Sequence, residues 1–284
     1  MKPVNYLAFL VTCIVTFTSC SKSSRDPDNN LRVTEYLNDN VRFRFEYNSA
    51  GQPQAVRSGS LWQDWPSTTF VDGKTEYQYI DRRIAAFNFT AKIESGPQLK
   101  SETILKWSGN KLMQSIINNR DFVSWRTDNS GRITGFTSQK YNSTPNPTIT
   151  SSDWQYDSNG NVVYPKTENS TIDITYTNKR NPFVYGNTGQ LFFIQSEGNS
   201  QDHYFLLSAN LPEKYVSYRK IVNTYDGQTF VLEDKKLYEY KYQYNSDGTI
   251  IGYELHTKLE GYRNGETVYL SESTNNLPLK CTKL

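Results

Sequence analysis

The chain has 284 residues, with 31 Lys and Arg against 29 Asp and Glu, so its formal charge is only +2. A nucleic-acid binder would carry a basic surplus or stripe, and this near balance argues against one. Aromatic residues make up 14% of the chain and include 21 Tyr, a bias toward pleated, half-buried surfaces and hence toward β structure.

At the N-terminus, Lys2 is followed by an almost wholly apolar run from Tyr6 to Phe17. That run is shorter than the roughly 20 residues a helix needs to cross a bilayer, but it suits the apolar region of a secretory signal peptide. Small residues follow at Thr18 and Ser19, and Phe17-Thr18-Ser19-Cys20 resembles a bacterial lipobox, although Leu is usual where Phe17 stands. The expectation is a signal peptide over residues 1–19 and a mature chain that begins at a diacylated Cys20, the lipid attachment residue. The competing reading is an ordinary signal peptide with an incidental cysteine. Residues 20–30 are polar, contain Pro27 and show no apolar periodicity, which reads as a flexible tether. Cys13 departs with the leader and Cys20 carries lipid, so Cys281 stands alone and no internal disulfide is expected.

Residues 31–284 read as a single domain rich in β-hairpins. Val41, Phe43, Phe45 and Tyr47 alternate with charged residues, and Tyr238, Tyr240, Tyr242 and Tyr244 alternate with Glu239, Lys241 and Gln243. Phe87, Phe89, Ala91 and Ile93 repeat the pattern, as do Ile172, Ile174 and Tyr176. Period-two alternation marks antiparallel strands with one buried face. Four segments share a turn signal: Tyr47-Asn48-Ser49-Ala50-Gly51, Thr127-Asp128-Asn129-Ser130-Gly131, Tyr156-Asp157-Ser158-Asn159-Gly160 and Tyr244-Asn245-Ser246-Asp247-Gly248. In each, Asn or Asp opens a type I turn and Gly closes it in the left-handed conformation. Shorter signals stand at Asp72-Gly73, Gly109-Asn110, Asp226-Gly227 and Asn264-Gly265. The fold expected is mainly all-β: an antiparallel meander of about a dozen strands forming a large curved or partly closed sheet. Alternation fails between Asn181-Pro182-Phe183 and Asn210-Leu211-Pro212, so one or two short helices are expected near 183–210, packed on the sheet.

The lipobox, the Tyr-Asp/Asn-x-x-Gly hairpins, Asn181-Pro182-Phe183 after Ile174-Thr175-Tyr176, and Ser208-Ala209-Asn210-Leu211-Pro212 together resemble a Bacteroides-type family of lipoproteins of unknown function, described as porin-like in fold. The hairpin motif is also similar to the YD repeats of large secreted shell and toxin proteins. The resemblance implies a curved antiparallel sheet with a helical insert, and it implies no activity.

Residues able to do chemistry are few. His203 and His256 are the only histidines, and neither stands at metal-ligand spacing; His256 lies on a polar face where a solvated ring is the default. No nucleophile elbow or phosphate loop is present, and no metal, cofactor or catalytic residue is expected. Glu233, Asp234 and Glu239 could serve a carbohydrate-active hydrolase if the fold brought acids together, but acids on hairpins are usually a solvated face. Trp62 and Trp65, in Trp62-Gln63-Asp64-Trp65-Pro66, could offer flat apolar faces to a glycan or an envelope protein; alternatively both rings cap one end of the sheet. Trp107, Trp125, Trp154 and the Tyr238-to-Tyr244 ladder read as core. The expectation is a non-enzymatic binding or structural module, lipid-anchored in the cell envelope and assigned to the outer membrane, with the hydrolase as the alternative. A membrane-spanning barrel is a third reading, in which the apolar faces would meet lipid.

Overall fold

The structure, a computed structural model, describes residues 31–38, 41–60, 73–81, 83–92, 98–141, 146–195, 203–225 and 228–283. The leader, Cys20, the tether, Trp62, Trp65 and the Asp226-Gly227 turn therefore lie outside the described residues. The strands are β1 (Leu31–Asn38), β2 (Val41–Tyr47), β3 (Pro53–Ser60), β4 (Gly73–Ile80), β5 (Arg83–Ala91), β6 (Leu99–Ser108), β7 (Lys111–Ile117), β8 (Asp121–Thr127), β9 (Ile133–Lys140), β10 (Thr148–Asp153), β11 (Gln155–Tyr156), β12 (Val162–Val163), β13 (Ser170–Arg180), β14 (Asn210–Tyr225), β15 (Gln228–Tyr244), β16 (Ile250–Arg263) and β17 (Glu266–Lys283). A 3-10 helix (Pro182–Asn187), α1 (Thr188–Gln195) and α2 (His203–Leu207) lie between β13 and β14.

Among the described residues one antiparallel sheet of fifteen strands runs in the order β10 to β1, then β17 to β13, with β11 and β12 forming a separate hairpin. The sheet holds more strands than the glycine signals suggest, because some hairpins turn without glycine. Asp81, Asn118 and Asn119 take the left-handed conformation at φ of 49°, 51° and 55°, which short polar side chains tolerate best after glycine. The four motif glycines behave as read, with φ of 78° at Gly51, 81° at Gly131, 82° at Gly160 and 80° at Gly248. Their hydrogen bonds repeat as well. In the last turn Gly248 N–H donates to the Asn245 carbonyl at 3.1 Å, Asn245 N–H to the Thr249 carbonyl at 3.0 Å, and Thr249 N–H to Asn245 Oδ1 at 2.8 Å.

The sheet is strongly curled, and neighbouring residues of α1 show by how much. Phe192 packs against Phe43 at 4.5 Å and Phe45 at 5.9 Å between ring centroids, both on β2. Phe193, the next residue, packs against Trp125 on β8 at 5.7 Å and Phe136 on β9 at 6.2 Å. In a flat sheet β2 and β8 would lie about 29 Å apart. Two adjacent side chains meet both only if the sheet wraps around them. Phe205 of α2 completes the enclosure against Tyr36, Tyr240 and Tyr253, each at 5.8 Å. The helical segment is thus a plug of aromatic side chains. Trp125 and Trp154 are buried around it, Trp107 packs at its margin, and Tyr238, Tyr240 and Tyr242 belong to the same core.

The ladder does not close, since β10 and β13 end the sheet. The small β11–β12 hairpin occupies the space between and is tied to both sides by single bonds. Toward β9, Trp154 N–H donates to Thr134 O at 2.9 Å and the Tyr156 hydroxyl to Ile133 O at 2.8 Å. Toward the insert and β13, Val162 N–H donates to Ser208 Oγ at 2.9 Å and the Tyr176 hydroxyl to Val162 O at 2.7 Å. The outward face carries ion pairs, cross-strand in Arg57–Glu46, Arg126–Asp153 and Lys241–Glu254 and along β4 in Lys74–Glu76. In the shell the core apolar side chains point inward to the plug and these ion pairs lie outside, while Met113, Val216, Val222 and Leu270 are apolar side chains left exposed. No helix among the described residues is long and apolar enough to cross a membrane.

Candidate functional site

Strict antiparallel connectivity sorts the connections into two poles. The four glycine-closed motif turns and the helical insert share one pole, where Leu31 also pairs with Lys283. The C-terminal ends of β1, β3, β5, β9 and β14 reach the other, as does the Asn264-Gly265 turn.

Strand length differs between the two halves. β1 to β9 have 7 to 10 residues, whereas β14 to β17 have 14 to 18. β1 pairs with β17 only between Leu279 and Lys283, so β17 runs on by roughly eleven residues, or about 36 Å, past the rim of the shell. The result is a ribbon that projects beyond the plug, with no second layer of described residues over most of its length.

A one-layer ribbon has little core, so its stability comes from cross-strand pairs. On the inward-facing side Arg219 pairs with Asp234, whose other oxygen accepts from the Tyr269 hydroxyl at 3.2 Å. Arg263 lies over the Phe230 ring at 4.7 Å. Gly261 faces Tyr269 across the β16–β17 pair, and the ring lies where a side chain would be: a Cβ on Gly261 would stand 2.0 Å from a Tyr269 ring carbon. On the outward side the Tyr218 hydroxyl donates to Glu233 at 2.7 Å, Lys235 covers the Tyr262 ring at 4.9 Å, and Lys258 pairs with Glu260 at 2.7 Å.

His256 forms a polar node with two carboxylates on that side. Its Nδ1 lies 3.2 Å from Glu239 Oε2 and its Nε2 lies 2.9 Å from Glu272 Oε1, so one imidazole bridges β15 and β17 across β16. Both ring nitrogens face carboxylates, which suits the doubly protonated form with two N–H donors. Glu272 and then Glu239 hold the His256 pKa above its usual value. Lys214, at 2.9 Å, and then His256 hold the Glu239 carboxyl below its own. The imidazolium bridge is therefore complete below the ordinary histidine range and is lost as pH rises through the raised value. The Glu239 contact is lost as pH falls through its lowered value. In an NMR titration the His256 ring should titrate above about 6.5, the reference value, and Glu272→Gln should move the midpoint down. A ring that titrates at the reference value in the wild-type chain would remove the bridge.

The acids read from the sequence are not brought to face one another. Adjacent Glu233 and Asp234 point to opposite sides of the ribbon, each with its own partner, and Glu239 is engaged by Lys214 and His256. A depression of about 470 Å³ opens beside the β4–β5 turn, lined by Ile80, Ile84, Leu105 and Trp107 with Asp81 and Arg83; it holds one carboxylate. Among the described residues no group of three His, Cys, Asp or Glu is arranged to hold a metal ion. Burial pushes the Cys281 thiol up to about 12, well away from the thiolate a nucleophile requires. The His203 side chain, Trp62 and Trp65 lie outside what the structure describes.

The ribbon itself was not read from the sequence. Its signal was nevertheless present: between Pro212 and Tyr225, and again between Gln228 and Tyr244, β-prone residues run on with no Gly or Pro to break them.

No family model matches the chain, and no curated protein does. Among solved structures, a porin-like protein from Bacteroides uniformis is similar over 91% of this chain and 98% of its own, at 12% identity and a TM-score of 0.35. At that score the likeness decides nothing about this chain's activity or address.

Proposed function

We propose that the protein is a non-enzymatic envelope module, held to a membrane by acyl chains on Cys20, with its binding surfaces at the end farthest from the anchor. One observation supports the reading. Leu31 leaves the shell at the plug pole, while the ribbon and the ends of β3 and β4, Ser60 and Gly73, belong to the opposite pole. A polar tether over residues 20–30 would then set the closed, plugged end toward the bilayer and the ribbon outward. The rigid aromatic core suits a scaffold that holds those outer elements in place.

The anchor half of the proposal predicts that Cys20→Ala leaves a chain that no longer partitions with membranes. A variant that still carries acyl chains, or that stays with the membrane fraction after a high-salt wash, would overturn it. The binding half predicts that Trp62→Ala and Trp65→Ala each reduce capture on a glycan array while the free energy of unfolding stays within about 0.5 kcal/mol of wild type, as for other surface changes. Large loss of stability in both variants would make the rings part of the core and remove the site.

A further inference from the structure

We propose that the depression beside the β4–β5 turn, at the plug pole, is a binding site for a neutral saccharide. The site exists because two strands part. β5 and β6 pair from Ala91–Leu99 only as far as Ala86–Ile104, although β5 begins at Arg83 and β6 runs on to Ser108. The cause lies on the other side of β5, where the register with β4 shifts. Gln78 faces Ala86 but Tyr79 faces Ile84, so Ala85 is an extra residue. Such a bulge bends its strand and disrupts regular pairing. In place of the missing rungs, the Trp107 indole N–H donates to the Ile84 carbonyl at 2.8 Å and Arg83 donates to the Gly109 carbonyl. What remains between the strands is a space of about 470 Å³, within the range of about 300–1,000 Å³ that small-molecule sites occupy.

Three features of the lining select the ligand. First, its floor is apolar. Ile84 and Leu105 are buried, Trp107 is partly buried beside them, and Ile80 stands exposed at the mouth. The Trp107 N–H is already bonded, so the ring is fixed and offers a ligand only its apolar surface. Second, the rim carries one acceptor and one donor. Asp81 is held in the turn at φ of 49°, and among the described residues no hydrogen bond or ion pair engages its carboxylate. Arg83 is bonded through one nitrogen and has further N–H groups to give. Third, these two charges are opposite, so an anion would meet Asp81 and a cation would meet Arg83. A pyranose answers all three. Its C–H face covers the apolar floor, and its hydroxyls donate to the carboxylate and accept from the guanidinium. A wholly apolar ligand would leave both charges covered and unpaired, which is costly. The single carboxylate has no second acid opposite it, as glycoside hydrolysis would require, so the site holds a sugar without cleaving it.

This goes beyond the anchored-module reading and does not rest on it. The full chain, labelled with 5-fluorotryptophan, is kept in a polyoxyethylene detergent that has no sugar headgroup. It is titrated with methyl glucoside, cellobiose, maltose and chitobiose at millimolar concentration. Fluorine NMR follows Trp107, whose resonance is assigned by its loss in Trp107→Phe. At least one of the four sugars should shift that resonance to saturation. Asp81→Gly removes the carboxylate and keeps the left-handed turn, and it should weaken the same binding at least about tenfold, as loss of a hydrogen bond to a charged group does. Absence of a shift with all four sugars, a shift that never saturates, or an affinity unchanged in Asp81→Gly would each overturn the proposal. Trp62→Ala should leave the Trp107 shift in place. Its loss there would assign the sugar to the Trp62-Trp65 segment and would equally overturn the proposal.

Discussion

Replacing Phe193 with alanine should lower the stability of the folded chain by about 3–5 kcal/mol, the range found when a buried aromatic side chain is truncated in a close-packed core. The ring is wholly buried and is enclosed edge-on by Trp125 at 5.7 Å, Phe136 at 6.2 Å and Trp154 at 5.6 Å. These three partners come from β8, β9 and the residue between β10 and β11, so the ring ties the far wall of the curled sheet to the plug. Its removal leaves a void that three large, rigid neighbours cannot easily fill. Equilibrium unfolding in urea checks the value, with the midpoint shifted and the slope retained. A loss below about 1 kcal/mol would mean that the plug does not unfold together with the sheet.

Asn181→Ala should be nearly as damaging, at about 3 kcal/mol, although it removes no apolar contact. Asn181 is 1% exposed. Its Nδ2 donates to the Phe205 and Ser208 carbonyls, the latter at 3.0 Å, and its Oδ1 accepts from Phe183 N–H at 3.1 Å. One side chain thus satisfies backbone groups at the start of the 3-10 helix and around the end of α2. Alanine would leave them buried and unpaired, each at a cost of about 1–3 kcal/mol. Asn181→Asp keeps the size but turns a donor into an oxygen aimed at two carbonyls, and it should cost at least as much. Hydrogen exchange separates local from global effects: the amides of α1 and α2 should lose protection first. If they kept wild-type protection in Asn181→Ala, the anchoring role of this side chain would be refuted.

These two residues also show what kind of information the sequence held. Asn181-Pro182-Phe183 was legible as a boundary, because alternation stops there and Pro182 cannot continue a ladder. Nothing in the three residues said that the Asn side chain would reach Phe205 and Ser208. Those partners are more than twenty positions away, and only the folding back of α2 brings them near. Phe193 was legible as apolar, within a cluster without strand periodicity. Its partners on β8 and β9 depend on the curl of the sheet, a property of the assembled strands and not of any one of them. The same limit applied to His256. Its polar face was read correctly, but Glu239 and Glu272 come from different strands, and pairing register decides which carboxylates reach the ring.

By itself the sequence determined the local grammar of the protein: which residues alternate, where Asn or Asp with Gly bends the chain, and where a helical insert interrupts. Each of these is a short-range matter of backbone sterics and of a side chain bonding to its own turn. Only the tertiary structure decided that the sheet wraps its insert as a plug, that β14–β17 outrun their neighbours as a ribbon, and that along its edge from Glu266 to Asn276 β17 has no described strand beside it other than β16. Curl, projection and edge all depend on how strands of unequal length come into register, and register is settled by contacts between residues far apart in the chain.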